Sequence, residues 1–170
     1  RLAVAYCLNM DFMRELRDLT AGLKPDFWLL GEVIKANYRR WLRPGLVDSV
    51  TNYECWKGLW SSCNTHNMFE IAHSFDRQFG EATFTTLLYR GWPLYNFADN
   101  HDVSRLASKL KDSRHLPIVY TLLYTMPGIP SLYYGSEWGA EGKKQDGDDA
   151  LRPSFEQPIE NDLTARITAM

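Results

Sequence analysis

At 170 residues, with 45% hydrophobic and 24% charged side chains, the chain suits one domain with a sizeable core and falls outside the disordered and collagen-like classes. A net charge of -2 and a pI near 6.1, with basic residues not gathered into a run, argue against a nucleic-acid partner. Three cysteines (Cys7, Cys55, Cys63) with no CxxC pair disfavour a disulfide framework or structural zinc, and no segment approaches the length of a membrane span.

Arg1 to Ala5 reads as the end of a strand, and Met10 to Leu19 as a helix with Met13, Leu16 and Leu19 on one stripe. Lys24-Pro25-Asp26 breaks that helix, and Phe27 to Leu30 is an apolar run of strand length ending at Gly31-Glu32. A short helix is predicted around Tyr38 to Leu42, then a strand over Val47 to Tyr53 behind the Pro44-Gly45 turn signal. Helical patterning returns over Glu54 to Trp60 and Phe69 to Leu88, followed by a strand over Leu94 to Ala98. Helices near Val103 to Leu110 and Leu116 to Tyr124 lead through Pro127-Gly128 and Pro130 to a strand over Ser131 to Tyr134. Glu141 to Asp149 is charged and glycine-containing, hence loop, and Leu163 to Met170 is amphipathic. The N-terminus lacks a charged-then-apolar signal pattern; because the chain opens inside a strand-like run, any targeting segment is expected upstream of it.

This alternation is that of an α/β fold with a parallel sheet and helical crossovers. Five strands suit an open doubly wound sheet or a piece of an eight-stranded barrel. No glycine-rich phosphate loop follows any strand, which weakens the nucleotide-binding version. Polar residues gather at strand C-terminal ends, at Glu32, Asn100-His101-Asp102 and Gly135-Ser136-Glu137, the end where barrels place their chemistry.

Phe97-Ala98-Asp99-Asn100-His101-Asp102 puts two or three hydrogen-bonding side chains at one strand end. Asp102 alone reads equally well as a helix N-cap. A His-Asp metal centre needs further ligands, and His66, His73 and His115 show no ligand spacing. Glu32 ends an apolar run, where partial burial would raise its pKa, as a general acid requires; an exposed strand-end glutamate is the bland alternative. Aromatic residues are 14%, including six Trp and nine Tyr, and serve either a core or sugar stacking.

Taken in order, Arg1-Leu2-Ala3-Val4-Ala5, Gly31-Glu32 and Phe97 to Asp102 resemble the fourth, fifth and seventh strand motifs of the α-amylase family of glycoside hydrolases. Met126 to Pro130 with Tyr133-Tyr134-Gly135-Ser136-Glu137 is similar to that family's eighth strand, and Asp149-Ala150-Leu151-Arg152-Pro153 resembles the loop after it. The resemblance implies that residues 1–170 are the C-terminal portion of a (β/α)8 TIM barrel, strands four to eight with their helices. It also implies a retaining mechanism on α-linked glucose oligosaccharides or polysaccharides. Glu32 matches the acid/base, Asp102 a third carboxylate that grips sugar hydroxyls, and His101 a hydroxyl-binding histidine. Arg1 matches the arginine that orients the nucleophile, while Asn100 and Arg152 join the substrate-binding set. Ala3, Glu32 and Asp102 are expected to face one cleft.

The nucleophile position falls on Ala3, and a methyl group cannot attack an anomeric carbon, so the chain as written is expected to be inactive. A substrate-trapping knock-out and a natural non-catalytic relative both explain it, the latter as a carbohydrate-binding or interaction subunit. Tyr6-Cys7 stands where many α-amylases carry Lys-His, and Lys35-Ala36-Asn37 departs from the family pattern after the acid. No metal ligand is assigned in this chain, and calcium in a fuller protein stays open. Five strands of eight leave edges near Ala3 and Tyr133, so self-association or a missing N-terminal half is expected as a partner.

Overall fold

The computed structural model, which describes residues 1–170 except 36, 81–88 and 90, divides into two units. The first comprises Arg1–Tyr53, Phe75–Asn96 and Pro127–Ile129; the second comprises Glu54–Ser74, Phe97–Met126 and Pro130–Met170.

The first unit is built on parallel pairing in chain order. Strand β1 (Leu30–Gly31) pairs with β2 (Ser49–Val50) in the register Leu30 to Ser49 and Gly31 to Val50. Single parallel bridges extend it on both sides, Leu2 to Gly31 and Thr51 to Tyr95. The Ile129 N–H then donates to the Leu94 carbonyl at 2.8 Å, where β3 (Tyr95–Phe97) and β4 (Ile129–Ser131) pair. The runs follow one another without a reversal of order, unlike a doubly wound sheet.

The strands are shorter than their apolar runs predict because side chains take over the ladder at its ends. Asp48 Oδ2 accepts the Leu29 N–H at 2.6 Å, and Thr51 Oγ1 accepts the Val33 N–H at 2.9 Å. The expected strand over Arg1 to Ala5 reduces to Leu2: Val4 turns the chain at φ 47°, and Ala5–Cys7 forms a 3-10 turn.

Helix α1 (Met10–Leu23) is capped by Asn9, whose side chain accepts the Asp11 N–H, and it runs four residues past its predicted end. Met13 and Thr20 are buried, but Leu19 is 63% exposed, a correction to the predicted stripe. Arg17 fixes the helix to the sheet, donating to the Leu46 and Phe27 carbonyls and to Asp48. Met13 packs into a core with Leu29, Val33, Trp41, Val47, Val50 and Leu94.

Buried amides also occupy this unit. Asn52 and Gln78 exchange hydrogen bonds, Asn52 donates to Asn96, and Asn96 donates to the Pro127 carbonyl. Gly128, at φ 120°, lets that strand approach: a Cβ there would sit 2.5 Å from the Leu94 oxygen.

Helices α2 (Tyr53–Thr65) and α3 (Phe69–Phe79) cross from one unit to the other. The predicted continuation of α3 to Leu88 falls on residues outside those described. In the second unit Trp56 of α2 stacks on Phe97 at 6.3 Å, and Lys109 Nζ lies 4.4 Å from the Trp60 ring. Helix α4 (Leu106–Lys109) begins later than predicted, because Asp99 Oδ2 takes the Leu106 N–H while the Arg105 N–H is bound to the Gly142 carbonyl. Helix α5 (Leu116–Thr125) has Pro117 in its first turn and buries Leu116, Val119, Tyr120 and Leu123, one helical stripe.

Two further expectations are corrected in this unit. Strand β4 lies two residues before the predicted Ser131 to Tyr134, and Tyr134-Gly135 is a turn that passes into a 3-10 helix at Ser136. The predicted loop from Glu141 to Asp149 contains a 3-10 turn at Lys144–Asp146 and the start of α6 (Asp148–Leu151), where Lys144 pairs with Asp148. Helix α7 (Asp162–Thr168) is closed by a capping box between Asn161 and Thr164 and buries Ile167.

Candidate active site

In the first unit, the Leu2 bridge brings the opening residues alongside Glu32. The Leu2 N–H donates to Leu30, the Glu32 N–H donates to Leu2, and the Ala5 N–H donates to the Glu32 carbonyl, all at 2.8–2.9 Å. Glu32 is 6% exposed. Arg1 Nη2 donates to Oε1 at 2.6 Å, and the Val4 N–H donates to Oε2 at 3.0 Å. Residues 1 and 4 thus bind the two oxygens of one carboxylate and bracket Ala3, itself exposed. The bland alternative for Glu32, an exposed strand end, does not hold. With a methyl group at position 3, the Arg1 guanidinium expected to orient a nucleophile instead rests on Glu32. The left-handed Val4 is the backbone device that turns its N–H to the carboxylate, and left-handed geometry is strained for a β-branched residue.

In the second unit, Asn100, His101, Asp102 and Arg152 come together. Asn100 Oδ1 accepts the Asp102 N–H at 2.8 Å, and His101 Nε2 lies 2.9 Å from Asp102 Oδ2. Arg152 Nη2 lies 3.3 Å from Asp102 Oδ1, and its Nε donates to the His101 carbonyl at 3.2 Å. Asp102, His101 and Arg152 keep 38%, 32% and 42% of their side-chain surface exposed, and Arg152 Nη2 lies 3.2 Å from Asp148 Oδ2 as well. Asp102 does not cap a helix: α4 starts at Leu106 behind Arg105.

The capping-like work belongs to Asp99, which the motif contains but which sequence reasoning assigned no role. Its 3% exposed carboxylate accepts Leu106 N–H at 2.7 Å and Ser136 Oγ at 2.7 and 2.9 Å. Burial pushes its pKa above the ordinary carboxylate range against the pull of these donors and of Arg105. Arg105 and Tyr133 were missed as well. The Arg105 guanidinium lies 4.1 Å from the Tyr133 ring, whose phenol is pushed up to about 12, chiefly by burial. Alternation along 97–99 puts Asp99 on the inward face with Phe97, the one signal available beforehand; nothing in the sequence marks Arg105.

In the first unit an anchored carboxylate, Glu32, is a group able to exchange a proton, and in the second unit a carboxylate with a histidine and an arginine beside it is a set able to bind hydroxyls. Among the described residues no group of three or more His, Cys, Asp or Glu is arranged to hold a metal ion. Tyr6 and Cys7, which the resemblance sets where many α-amylases carry Lys-His, offer an exposed phenol and thiol. Calcium takes oxygen ligands, so the Cys7 thiol is not a side-chain ligand for it.

A family model described as the alpha amylase catalytic domain matches residues 5–169. A cyclomaltodextrinase of Geobacillus thermopakistaniensis (strain MAS1) is 30% identical over 152 residues, covering 84% of this chain and 24% of that protein. A maltogenic alpha-amylase of Bacillus acidopullulyticus is 29% identical over 157 residues, covering 86% and 25%. The chain therefore spans about a quarter of the length of these relatives. Among solved structures, a cyclomaltodextrinase superposes with a TM-score of 0.81 at 25% identity, covering 98% of this chain and 28% of that one. The cyclic alpha-maltosyl-(1-->6)-maltose hydrolase of Arthrobacter globiformis superposes at 0.80 and shares the fold at 24% identity, covering 98% and 37%. The chain belongs to the α-amylase catalytic-domain family.

Proposed function

We propose that this chain supplies strands four to eight of a (β/α)8 barrel from a glycoside hydrolase acting on α-linked glucose oligosaccharides or polysaccharides. Glu32 is the acid/base that protonates the leaving oxygen. Asp102, His101, Asn100 and Arg152 hold sugar hydroxyls, and Arg1 steers the charge at position 3. A retaining nucleophile stands about 5–5.5 Å from its acid, and position 3 is where it belongs; Ala3 closes the covalent route in this chain. The observation that carries the reading is the bracketing of Ala3 by Arg1 and Val4, both bonded to the Glu32 carboxylate. The names of the relatives, cyclomaltodextrinase and maltogenic alpha-amylase, support the substrate class. Ala3 itself favours a second reading, a non-catalytic carbohydrate-binding subunit. Both readings expect the chain to self-associate or to take up a complementary barrel half.

The test joins the chain to the complementary half of a cyclomaltodextrinase and measures release of p-nitrophenol from an activated α-maltoside. Ala3→Asp should create turnover that the unsubstituted chimera lacks, and adding Glu32→Gln should abolish it on unactivated maltotriose. A folded Ala3→Asp barrel that binds maltotriose without cleaving either substrate would favour the non-catalytic subunit.

A further inference from the structure

The second unit spends a fully buried cation where an apolar side chain would pack at less cost. Arg105 is 0% exposed, yet among the described residues its Nε and Nη2 have no hydrogen-bond acceptor. A buried cation is unfavourable unless its surroundings compensate. Nη1 donates to the Tyr134 carbonyl at 2.6 Å and to Ser136 Oγ at 3.2 Å, and Ser136 Oγ in turn lies on Asp99. The Arg105 backbone N–H holds the Gly142 carbonyl at 2.9 Å. The guanidinium carbon lies over the Tyr133 ring, 4.1 Å from its centroid, and over the Tyr134 ring at 5.0 Å. Tyr133, on its other contacts, packs 4.7 Å from Tyr134 and 6.5 Å from the His101 ring. One cation thereby ties the start of α4 to the turn at 133–136, donating to the Tyr134 carbonyl while its carbon lies over the Tyr133 ring. Lysine, a point charge on a flexible stem, does not reproduce both.

We infer that Arg105 is a positioning residue: it holds the 133–136 turn so that the Tyr133 ring stands against the His101 imidazole and forms a wall of the saccharide site. This rests on the proposed role of His101 and Asp102 in gripping sugar hydroxyls. Tyr133 supplies an aromatic ring beside the His101 imidazole, and an aromatic face next to polar groups suits the two-sided character of a pyranose. Arg105 acts only through Tyr133 and does not touch the sugar.

The experiment uses the chain joined to the complementary half of a cyclomaltodextrinase, with two readouts, the nuclear Overhauser effect between the His101 and Tyr133 rings without ligand, and maltotriose affinity followed on the His101 resonances. Arg105→Lys should lose the ring-to-ring effect. It should also bind maltotriose about tenfold more weakly, since a misplacement of about 1 Å can cost up to about 100-fold. Tyr133→Phe should keep both. The pair Arg105→Lys with Tyr133→Ala should bind no more weakly than Tyr133→Ala alone. Should Arg105→Lys fail to fold, Ser136→Ala removes one acceptor and keeps the arginine, and should weaken the same effect. An intact ring-to-ring effect in either folded variant overturns the inference, and so does its loss with affinity unchanged, or strictly additive losses in the pair. If the unsubstituted chimera binds no maltotriose while Arg105→Lys still loses the effect, the positioning of Tyr133 stands and the saccharide reading of the site falls.

Discussion

Removing the Asp99 carboxylate should be among the most damaging single changes to the second unit. In Asp99→Ala the Leu106 N–H and the Ser136 hydroxyl, 2.7 Å from its oxygens, lose their acceptor inside a 3% exposed pocket. Each donor left buried and unsatisfied costs about 1–3 kcal/mol, and the Arg105 cation loses the negative charge that the shared Ser136 hydroxyl brings near. The sum is about 4 kcal/mol, a large share of the roughly 5–15 kcal/mol that holds a domain together. Asp99→Asn keeps one acceptor oxygen and should lose about half as much. Urea titration followed by tryptophan fluorescence, at one protein concentration for all variants, gives the difference directly. With a slope of about 2 kcal/mol per molar urea, Asp99→Ala should lower the midpoint by about 2 M, and a shift below about 0.5 M would refute the reasoning.

The pH dependence carries its own sign. Burial raises the Asp99 pKa in the folded state, so the native chain binds the proton more tightly; stability should fall as pH rises from the ordinary aspartate value through the raised one. Urea midpoints taken from about pH 3 to pH 7 should show that fall flattened in Asp99→Asn. Val4→Gly should leave stability unchanged or raise it by about 1 kcal/mol, since Val4 is 44% exposed and strained at φ 47°; a loss of more than about 1 kcal/mol would contradict the strain. Gly142→Ala should cost about 2–3 kcal/mol in the same titration, because its Cβ would meet the backbone oxygen of Ala150, which cannot swing aside.

Much of the family resemblance was legible because its motifs sit at strand ends, where a polar residue after an apolar run has few structural reasons to be there. Gly31-Glu32 and Asn100-His101-Asp102 are of this kind, and the first of these lies buried on the ladder as its pattern predicts. Helix α1 was legible from its period, but its inner stripe was not: Thr20 turns inward, bonding the Leu16 carbonyl, and leaves Leu19 outside. Strand lengths were misjudged because Asp48 and Thr51 replace backbone partners with side chains, and apolar periodicity carries no trace of such bonds. The pairing of Arg1 with Glu32 was hidden for a related reason. It connects residues 31 positions apart through a bridge at Leu2, and it is seen only once the parallel register is known. Arg105 was hidden most deeply, since in sequence a lone arginine beside Ser104 reads as surface, and only tertiary packing shows it buried.

The central claim, that position 3 is a vacated nucleophile site beside the acid Glu32, is tested most directly by the configuration of a trapped product. In the completed barrel with Ala3 unchanged, azide supplied with an activated α-maltoside should enter beside the anomeric carbon and attack once. Proton NMR should then show a β-maltosyl azide, because a single displacement inverts the centre, whereas Ala3→Asp should release the α-anomer first by two displacements. An α-maltosyl azide from the Ala3 form, or a β-anomer released first by Ala3→Asp, would contradict the assignment of position 3.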